Sequence, residues 1–505
     1  MDIPFRHVEK IKLNQYTKDL NAAAADTLPC VILLLPDAPD KATWARLPHG
    51  ALLHKRWQQR VRRNKDTEQL VTELPNPAGT RVLLQIIKPG SDAFTALTCA
   101  RKLASTAREL DPARIGVQIS GFSSAQGARL QQQVCAALLA NACPMPSYKS
   151  KTSPPAALRR IDLYGLEQRT ELAPLQAETS GNHLARWLSA LPGNELTPAK
   201  YRRFVATLAR QHGWQMQFID RKQLHSKGAG AFLAVCQGSP EPDAGIVHLR
   251  YRPARKPARK LALVGKGICF DTGGVNIKPA KYMNGMHEDM QGSAVALGTL
   301  LALTLQKADC AIDCWLALAE NHVGSRAYKP NDVVTACNGT TIEVKHTDAE
   351  GRMVLADTLA LACREKPDVM IDYATLTGTC VQALSSRYSG VFSNRSAMHN
   401  ALIAAGRDSG ERVWPFPIDA DFDEALKSDI ADTLQCTLEG EADHILATRF
   451  LSRFVDETIH WIHIDLSASS HKGGLAHIPT DTTGFGVRYT LNLLQQQALL
   501  DSSWN

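Results

Sequence analysis

The sequence lacks the features that mark membrane and secreted proteins. Its longest apolar segment near the N-terminus covers residues 30–35, far fewer than the roughly 20 residues of a membrane-spanning helix. Residues 1–12 carry charges of both signs and do not have the layout of a signal peptide. The 12 cysteines have no paired spacing, which favours reduced thiols over disulfides. We therefore expect a soluble, cytoplasmic protein without membrane contact.

Nucleotide-binding loops are missing as well. Lys266 lies in a glycine-rich stretch, but Gly267 follows it where a phosphate-binding loop has Ser or Thr. Gly265 and Gly267 are weak evidence for a dinucleotide site, since no acidic ribose partner is identifiable about 20 residues later. Both nucleotide hypotheses are set aside.

Length and composition indicate two domains. The chain has 505 residues, 44% of them hydrophobic, and no low-complexity tract. Predicted strands and helices alternate, as in α/β proteins with a mostly parallel sheet. Strands are predicted at residues 30–35, 81–87, 114–120, 160–166, 260–264, 312–318, 369–373 and 461–466, and helices at residues 93–110, 125–142 and 182–191. A polar, proline-rich segment at residues 148–157 ends the first unit, so we predict an N-terminal α/β domain at 1–166 and a second domain at 167–505.

The stretch HTDAEGR, residues 346–352, is the most informative part of the chain, because two carboxylates and a guanidinium precede an apolar helix predicted at 353–363. If residues 346–351 are extended, Asp348 and Glu350 point the same way and can hold one or two cations. An acidic helix N-terminus that complements the helix dipole explains these residues equally well when they are taken alone. A second stretch, residues 261–298, favours the cation hypothesis. There an apolar strand leads into Lys266, Asp271, Lys278 and Asp289, beyond the strand end where α/β sheets bind ligands.

Several spaced motifs resemble those of the cytosolic leucyl aminopeptidase family, which are two-metal exopeptidases. They are VGKGICFDTGG, NIKP, the Asp-Met pair at 289–290 before a glycine, TDAEGR and ATLTG. In family order, the chain also has ALPGNELTP (190–198), GAFLAVCQGS (230–239), WIHIDLS (461–467) and TGFGVR (483–488). The resemblance covers residues 180–495 approximately, and the first 165 residues carry no matching motif. It implies a C-terminal catalytic domain with a mixed central sheet flanked by helices.

The resemblance also implies the site residues. Two metal ions would be bound by Lys266, Asp271, Asp289, Asp348 and Glu350, with Lys278 and Arg352 as catalytic groups. Four carboxylates in one pocket would raise one another's pKa unless cations compensate them, and two divalent ions balance their charge. The oxygen-rich set suits Zn, Mn or Mg rather than copper. Lowering the pKa of Lys266 by about three units costs roughly 4 kcal/mol. This cost is small compared with a metal-binding free energy on the order of 10 kcal/mol.

A mechanism follows from this implied centre. Two ions can activate a shared water for attack on a peptide carbonyl, and one ion can take the free α-amino group of the substrate, so no serine or cysteine nucleophile is required. Lys278 would polarise the carbonyl and stabilise the oxyanion. Arg352 would hold a small anion or the water, and the family suggests bicarbonate as general base. The resemblance further implies a homohexamer acting on peptides.

Three positions depart from the family pattern. His346 stands where the family usually has Asn, and Gln291 replaces a small residue after the Asp-Met pair. Residues 437–448, TLEGEADHILAT, lack the small residues that the family has in this segment, which lies near the substrate cleft. Because the metal set is intact, we expect these changes to affect specificity more than catalysis.

The family pattern also maps a substrate pocket, with walls formed by Met286, Thr375, Gly378, Ser467 and Ser470. Ordinary packing around strand ends is the alternative explanation for each of these residues. Two serines make the pocket more polar than one lined by Ala and Met, and Ser467 resembles the peptidase B branch of the family. The preferred N-terminal residue is therefore left open.

A net charge of +7 leaves a rival hypothesis, a nucleic-acid-binding protein with or without peptidase activity. Residues 55–65 and 250–260 each contain six Lys or Arg, and the first patch has Arg56, Arg60 and Arg63 on one helical face. Few aromatic residues accompany them, and most charge runs are solvated. Salt-dependent retention of a DNA duplex that is lost on neutralising these three arginines would support the hypothesis.

Overall fold

The computed structural model describes residue 8 and residues 10–151 and 156–501. The chain folds into two compact units. Among the described residues, the first unit contains those up to 180 together with residues 473–481, and the second contains residues 181–472 and 482–501. Both units combine helices with a central sheet, so the predicted α/β class with two α/β domains is confirmed.

The first unit is built on a sheet that has six strands in the described ranges, in the order β1-β6-β5-β2-β4-β3. These strands are β1 (Lys12–Tyr16), β2 (Cys30–Pro36), β3 (Gln69–Glu73), β4 (Arg81–Ile87), β5 (Arg114–Ile119) and β6 (Arg160–Tyr164). Its helices are α1 (Ala22–Ala25), α2 (Lys41–Ala45), α3 (Gly50–Arg63), α4 (Ala93–Arg108) and α5 (Ser124–Ala142). Every pairing is parallel except that of β3 with β4.

Strand β2 shows why this sheet forms. Cys30, Ile32 and Leu34 belong to one apolar cluster, and the residues between them belong to another. Because neighbouring residues of a strand face opposite sides of the sheet, both faces of β2 are covered. An uninterrupted apolar run is typical of such a doubly buried parallel strand.

The second unit contains a larger mixed sheet. The remaining strands are β7 (Gln215–Asp220), β8 (Gly245–Tyr251), β9 (Lys260–Asp271), β10 (Ala311–Asn321), β11 (Val333–Thr335), β12 (Thr341–Glu343), β13 (Val369–Ala374), β14 (Ser389–Ser393), β15 (Val413–Pro415), β16 (Thr433–Leu434) and β17 (His460–Asp465). In the described chain, eight of these form the order β15-β14-β17-β13-β9-β10-β8-β7, and β11-β12-β16 form a small separate sheet. The predicted mixed central sheet is therefore confirmed.

Further along the chain come eleven α-helices in the described ranges. They are α6 (Ala173–Ser189), α7 (Pro198–His212), α8 (Arg221–Ser226), α9 (Gly230–Cys236), α10 (Ala280–Met283), α11 (Gln291–Leu305), α12 (Glu350–Cys363), α13 (Gly378–Leu384), α14 (His399–Ser409), α15 (Asp443–Ser452) and α16 (Val487–Gln495). Short 3-10 helices cover Met286–Glu288, Ser385–Arg387, Ser396–Met398 and Ala420–Leu426. None of the helices in the described ranges is both long and apolar enough to cross a membrane. All 12 cysteines lie in the described part of the chain, and none of them forms a disulfide bond.

The middle of the large sheet brings several strand ends together. Strands β10, β9, β13 and β17 are neighbours and run parallel, so their carboxyl ends meet at one edge. Helix α11 lies directly against this part of the sheet, because a Cβ atom added at Gly292 would come within 2.1 Å of the Tyr373 carbonyl oxygen. Because α/β sheets bind ligands at the carboxyl ends of their parallel strands, we expect a functional site at this edge.

Candidate active site

The charged residues singled out from the sequence lie at this edge. Lys266 is within β9, and Asp271 is the last residue of that strand. Asp289 lies just before α11, and Glu350 is the first residue of α12. Thr375 directly follows β13. The strand ends and two helix N-termini of one unit therefore supply the proposed ligands.

Lys266 is at the centre of the first group of charges. Its side chain is only 4% exposed, and its Nζ lies 2.8 Å from both Asp289 Oδ1 and Glu350 Oε1. The same Nζ donates to the Thr375 carbonyl oxygen at 2.9 Å. A Cβ added at Gly351 would come within 2.7 Å of Nζ, so the glycine at that position leaves room for the lysine.

Lys278 links the other two carboxylates. Its Nζ lies 2.9 Å from Asp271 Oδ2 and 2.5 Å from Asp348 Oδ1. Asn321, the last residue of β10, donates its Nδ2 to Asp271 Oδ1 at 2.8 Å and to the Thr347 carbonyl at 2.9 Å. Lys278 thus holds the carboxylates of Asp271 and Asp348, and Asn321 fixes Asp271 and the backbone next to Asp348.

Negative charge is in excess in this cluster. Four carboxylates face two ammonium groups, and one oxygen each from Asp271, Asp348 and Glu350 lie within 4.8 Å of one another. Burial, with the charges of Asp271 and Glu350, raises the pKa of the Asp348 carboxyl to about 7. Burial by itself would lower the pKa of Lys266, but Asp289 and Glu350 outweigh it and raise that pKa above its ordinary value.

Two buried carboxylate oxygens are also left without a partner. Asp289 Oδ2 and Glu350 Oε2 accept no hydrogen bond from any described residue. A buried, unpaired oxygen is costly unless something else satisfies it. Surplus negative charge and unpaired oxygens are what a site for divalent cations provides, so these residues fit metal ions.

The HTDAEGR stretch reaches this cluster by a different geometry from the one predicted. The expectation that residues 346–351 run as extended chain is wrong, because Ala349 N–H donates to the His346 carbonyl at 3.1 Å and α12 already begins at Glu350. A turn followed by the first residue of a helix brings Asp348 and Glu350 together. His346 Nδ1 accepts from the Asp348 N–H at 3.2 Å, a hydrogen bond that an asparagine side chain could also accept.

Arg352 does not line the cluster as a free cation. It is buried, and its Nη2 donates to both carboxylate oxygens of Asp443 at 2.8 Å. Its Nη1 donates to the Gln435 carbonyl at 3.2 Å. Asp443 belongs to the segment 437–448 that departs from the family pattern. The next residue, His444, is hydrogen-bonded through Nδ1 to Thr379 Oγ1 at 3.1 Å, one position after Gly378.

The predicted pocket residues are placed unequally. Thr375 Oγ1 donates to Asp289 Oδ1 at 2.7 Å. Ser470 Oγ donates to Glu288 Oε2 at 2.6 Å and accepts from Gln291 Nε2 at 3.0 Å. Thr375 and Ser470 are therefore held next to Asp289 or its chain neighbours.

The other three predicted pocket residues have less direct links to the cluster. Gly378 begins α13 and has no atom within 4 Å of the place where its Cβ would lie, so it borders open space. Ser467 is buried, and its hydroxyl donates to Cys380 Sγ at 3.0 Å. Met286 is half-buried in the short 3-10 helix before Asp289.

Sequence reasoning missed three residues of this region. Asn321 could have been found, since it ends the strand beside β9 and any polar residue there faces the same edge. Glu288 precedes Asp289 directly but belongs to no quoted motif. Asp443 lies in the segment 437–448 that departs from the family pattern, but its pairing with Arg352, 91 positions away, had no signal in the sequence.

Comparison with known proteins agrees with this geometry. A family model described as the catalytic domain of the cytosol aminopeptidase family matches residues 183–491. The chain is 37% identical over 478 residues to a "Probable cytosol aminopeptidase" of Parasynechococcus marenigrum, covering 92% of this chain and 95% of that protein. It is 41% identical over 348 residues to another of that name from a Synechococcus species, covering 68% of this chain and 70% of that protein. A solved variant of tomato leucine aminopeptidase matches with a TM-score of 0.85 at 25% identity, covering 97% of both chains.

The matches bear on both hypotheses drawn from the sequence. They support a metal-dependent hydrolase of peptide bonds, and none of them supports nucleic-acid binding. The relative from Parasynechococcus aligns with most of the chain, including the first unit in which no motif was found. The chain belongs to the cytosol aminopeptidase family and is a metal-dependent aminopeptidase.

Proposed function

We propose that the charged cluster binds two divalent metal ions and removes N-terminal amino acids from peptides. The ligands would be Lys266, Asp271, Asp289, Asp348 and Glu350. The observation that carries the proposal is the surplus of buried negative charge, with Asp289 Oδ2 and Glu350 Oε2 lacking any partner among the described residues. Zn, Mn or Mg suits this donor set. When bound, such ions supply Lewis acidity and lower the pKa of water toward neutrality.

The two lysines would divide the work. Lys266 is buried between Asp289 and Glu350, whose charges favour its protonated form, so it would become a neutral amine ligand only where the charge of a bound metal ion displaces the proton. Lys278 is more exposed, at 14% of its side chain, and is anchored by Asp271 and Asp348. Its ammonium group would remain charged and stabilise the negative oxygen that develops on the peptide carbonyl.

The same centre would favour a free N-terminus. One ion could take the unprotonated α-amino group of a peptide as a ligand, and an internal peptide bond has no such amine to offer. The substrate's first side chain would lie in a pocket formed by Met286, Thr375, Gly378, Ser467 and Ser470. Because Ser470 is hydrogen-bonded to Glu288 and Gln291, this pocket would be polar on one side.

Further parts of the proposal come from the family resemblance. We propose a homohexamer in the cytoplasm, with peptides as substrates. We also propose domains at residues 1–166 and 167–505, since β6, the last strand of the first sheet along the described chain, ends at Tyr164. The compact units differ from these bounds in that residues 167–180 and 473–481 group with the first unit.

One experiment tests both the metals and the specificity. The protein is stripped of metal, reloaded with one ion at a time and assayed on a panel of aminoacyl amides, with bound metal counted in each sample. The Glu350→Gln variant should lose metal and turnover, because it removes one of the four charges that balance two divalent ions. Glu343→Gln is the control, since Glu343 is also buried but is bonded to Lys345 and Ser428 outside the cluster. A Glu350→Gln variant with two ions per chain and full turnover would rule out the ligand assignment.

A further inference from the structure

Arg352 already pairs with a protein carboxylate through the nitrogen that an external anion would need. A guanidinium holds a planar anion with two parallel N–H groups along one edge. Each edge that offers two N–H groups from different nitrogens includes Nη2, and Nη2 is engaged by both oxygens of Asp443 at 2.8 Å. Only Nε is left without a partner among the described residues. An external anion could therefore form the two-point contact only by sharing Nη2 with the Asp443 carboxylate.

Charge leads to the same conclusion. Arg352 is buried with an exposed fraction of 2%, and Asp443 already neutralises it. A bicarbonate placed beside this pair would be a second negative charge against a single positive one, in surroundings that hydrate it poorly. Bicarbonate, which the family resemblance implies as a general base, therefore does not fit Arg352 in this chain.

The segment that carries Asp443 is fixed to the metal-side turn at more than one point. Gln435 Oε1 accepts from the backbone N–H groups of Lys345 and His346, both at 3.1 Å. Gln435 Nε2 donates to the Ala349 carbonyl at 3.0 Å. Asp443 then begins α15 after Ala442, whose φ of 50° lies in the left-handed region. The Gln435 contacts therefore hold the chain before Asp443 against the turn, and the two 2.8 Å hydrogen bonds from Arg352 hold the Asp443 carboxylate itself.

We propose that Asp443 replaces the external anion on Arg352, so that this aminopeptidase works without bicarbonate. Asp443 is a positioning residue, because it acts through Arg352 by fixing and neutralising the guanidinium. It leaves Nε–H as the donor that can hold a water near the cluster. The inference rests on the proposed metal centre, and it explains why residues 437–448 depart from the family pattern while the metal set does not.

The test compares the metal-loaded wild type with Asp443→Gly and Asp443→Asn, in buffer purged of carbon dioxide and in buffer with added bicarbonate. Turnover is measured together with direct binding of ¹³C-labelled bicarbonate by NMR. The wild type should neither bind bicarbonate nor respond to it. Asp443→Gly should lose turnover by about 10–100-fold without bicarbonate, the usual effect of removing a partner behind a metal site. Added bicarbonate should restore it and should bind saturably, since the guanidinium edge is then open.

The controls separate this inference from the proposed function. The double variant Asp443→Gly with Arg352→Ala should neither bind bicarbonate nor be rescued. Asp443→Asn keeps the shape but not the charge, and it should lose turnover with little rescue because the amide still blocks Nη2. Bicarbonate binding or activation in the wild type, or unchanged bicarbonate-free turnover in both single variants, would overturn the inference. A wild type that holds no metal would instead refute the proposed centre.

Discussion

At the scale of single residues, two lysines share one group of carboxylates and yet have different surroundings. Lys266 is enclosed and also bonded to a carbonyl oxygen, whereas Lys278 borders the more open side. A metal ligand can be fully enclosed by the protein, whereas a group that polarises the substrate carbonyl must be accessible to the substrate. The enclosed position of Lys266 therefore suits a ligand, and the more open position of Lys278 suits a group that contacts the substrate.

We expect Lys266→Ala and Lys278→Ala to fail in different ways. Lys278→Ala should keep its metal and lose turnover by roughly 10²–10³, the usual effect of removing an oxyanion-stabilising group. Lys266→Ala should lose metal as well. Metal counting and steady-state kinetics distinguish the variants, with Lys281→Ala on exposed α10 as the control. Turnover of Lys278→Ala within about threefold of the wild type would contradict the electrophilic role.

Glu288 gives the proposed pocket a negative side. It is half-buried and accepts from Ser470 Oγ at 2.6 Å and Gln291 Nε2 at 3.1 Å. We expect Glu288→Gln to lower kcat/KM for arginyl and lysyl amides more than for leucyl amide, because a cationic side chain gains most from a nearby carboxylate. Ser470→Ala should cause a smaller change in the same direction. Equal losses on all three substrates would show that Glu288 only supports the local fold.

At the scale of elements, the close approach of α11 to the sheet positions Asp289. We expect Gly292→Ala to lower stability by about 1–3 kcal/mol or more, because its Cβ would overlap the Tyr373 carbonyl oxygen and push the helix away. Thermal unfolding and metal content should both reveal the change. Gly127→Ala in α5 is the matched control, since nothing lies within 4 Å of its added Cβ. That variant should be neutral or slightly more stable.

Buried strands were predictable because their apolar runs are uninterrupted. Strand β4 was predicted at its observed bounds, 81–87, and β2 to within one residue. Strand β9 was predicted to end at residue 264 but continues to Asp271, because the sheet pairs a segment with glycines and charged residues that propensity disfavours. Edge strands such as β7 were not predicted, because they contain no uninterrupted apolar run.

The site was predictable wherever its residues are close in sequence. Asp348 and Glu350 stand two positions apart, so their clustering is visible without a structure. Their geometry was not, since whether residues 346–349 form a strand or a turn depends on contacts with distant Gln435. The link from Arg352 to Asp443 exists only once α12 and α15 are packed together.

At the scale of the whole molecule, the positive charge is partly neutralised within the fold. Arg250 and Arg252 pair with Asp313, and Arg259 pairs with Asp368. The second basic patch is therefore less positive than its sequence indicates. In α3, Arg60 and Arg63 are exposed, while Arg56 donates to Thr72 and to the Glu73 carbonyl. The ion pairs of the second patch agree with the lack of support for nucleic-acid binding among the relatives.

Metal binding should stabilise the entire second unit. We expect chelation to lower the temperature of thermal unfolding and added Zn or Mn to restore it, because a ligand at 100 times its Kd stabilises the folded state by about 2.7 kcal/mol. In Glu350→Gln the shift should be much smaller, and in Glu343→Gln it should be preserved. A wild type that unfolds at the same temperature with and without chelator would contradict metal binding within the folded unit.

The two units are not consecutive along the chain, because residues 473–481 group with the N-terminal unit although they lie between parts of the catalytic one. There Arg101 Nη1 donates to the Ile478 carbonyl at 3.3 Å. A chain divided once, near residue 180, would leave residues 473–481 without the residues that they pack against. The N-terminal unit, although it carries no recognisable motif, therefore depends for part of its packing on a segment that lies within the catalytic part of the sequence.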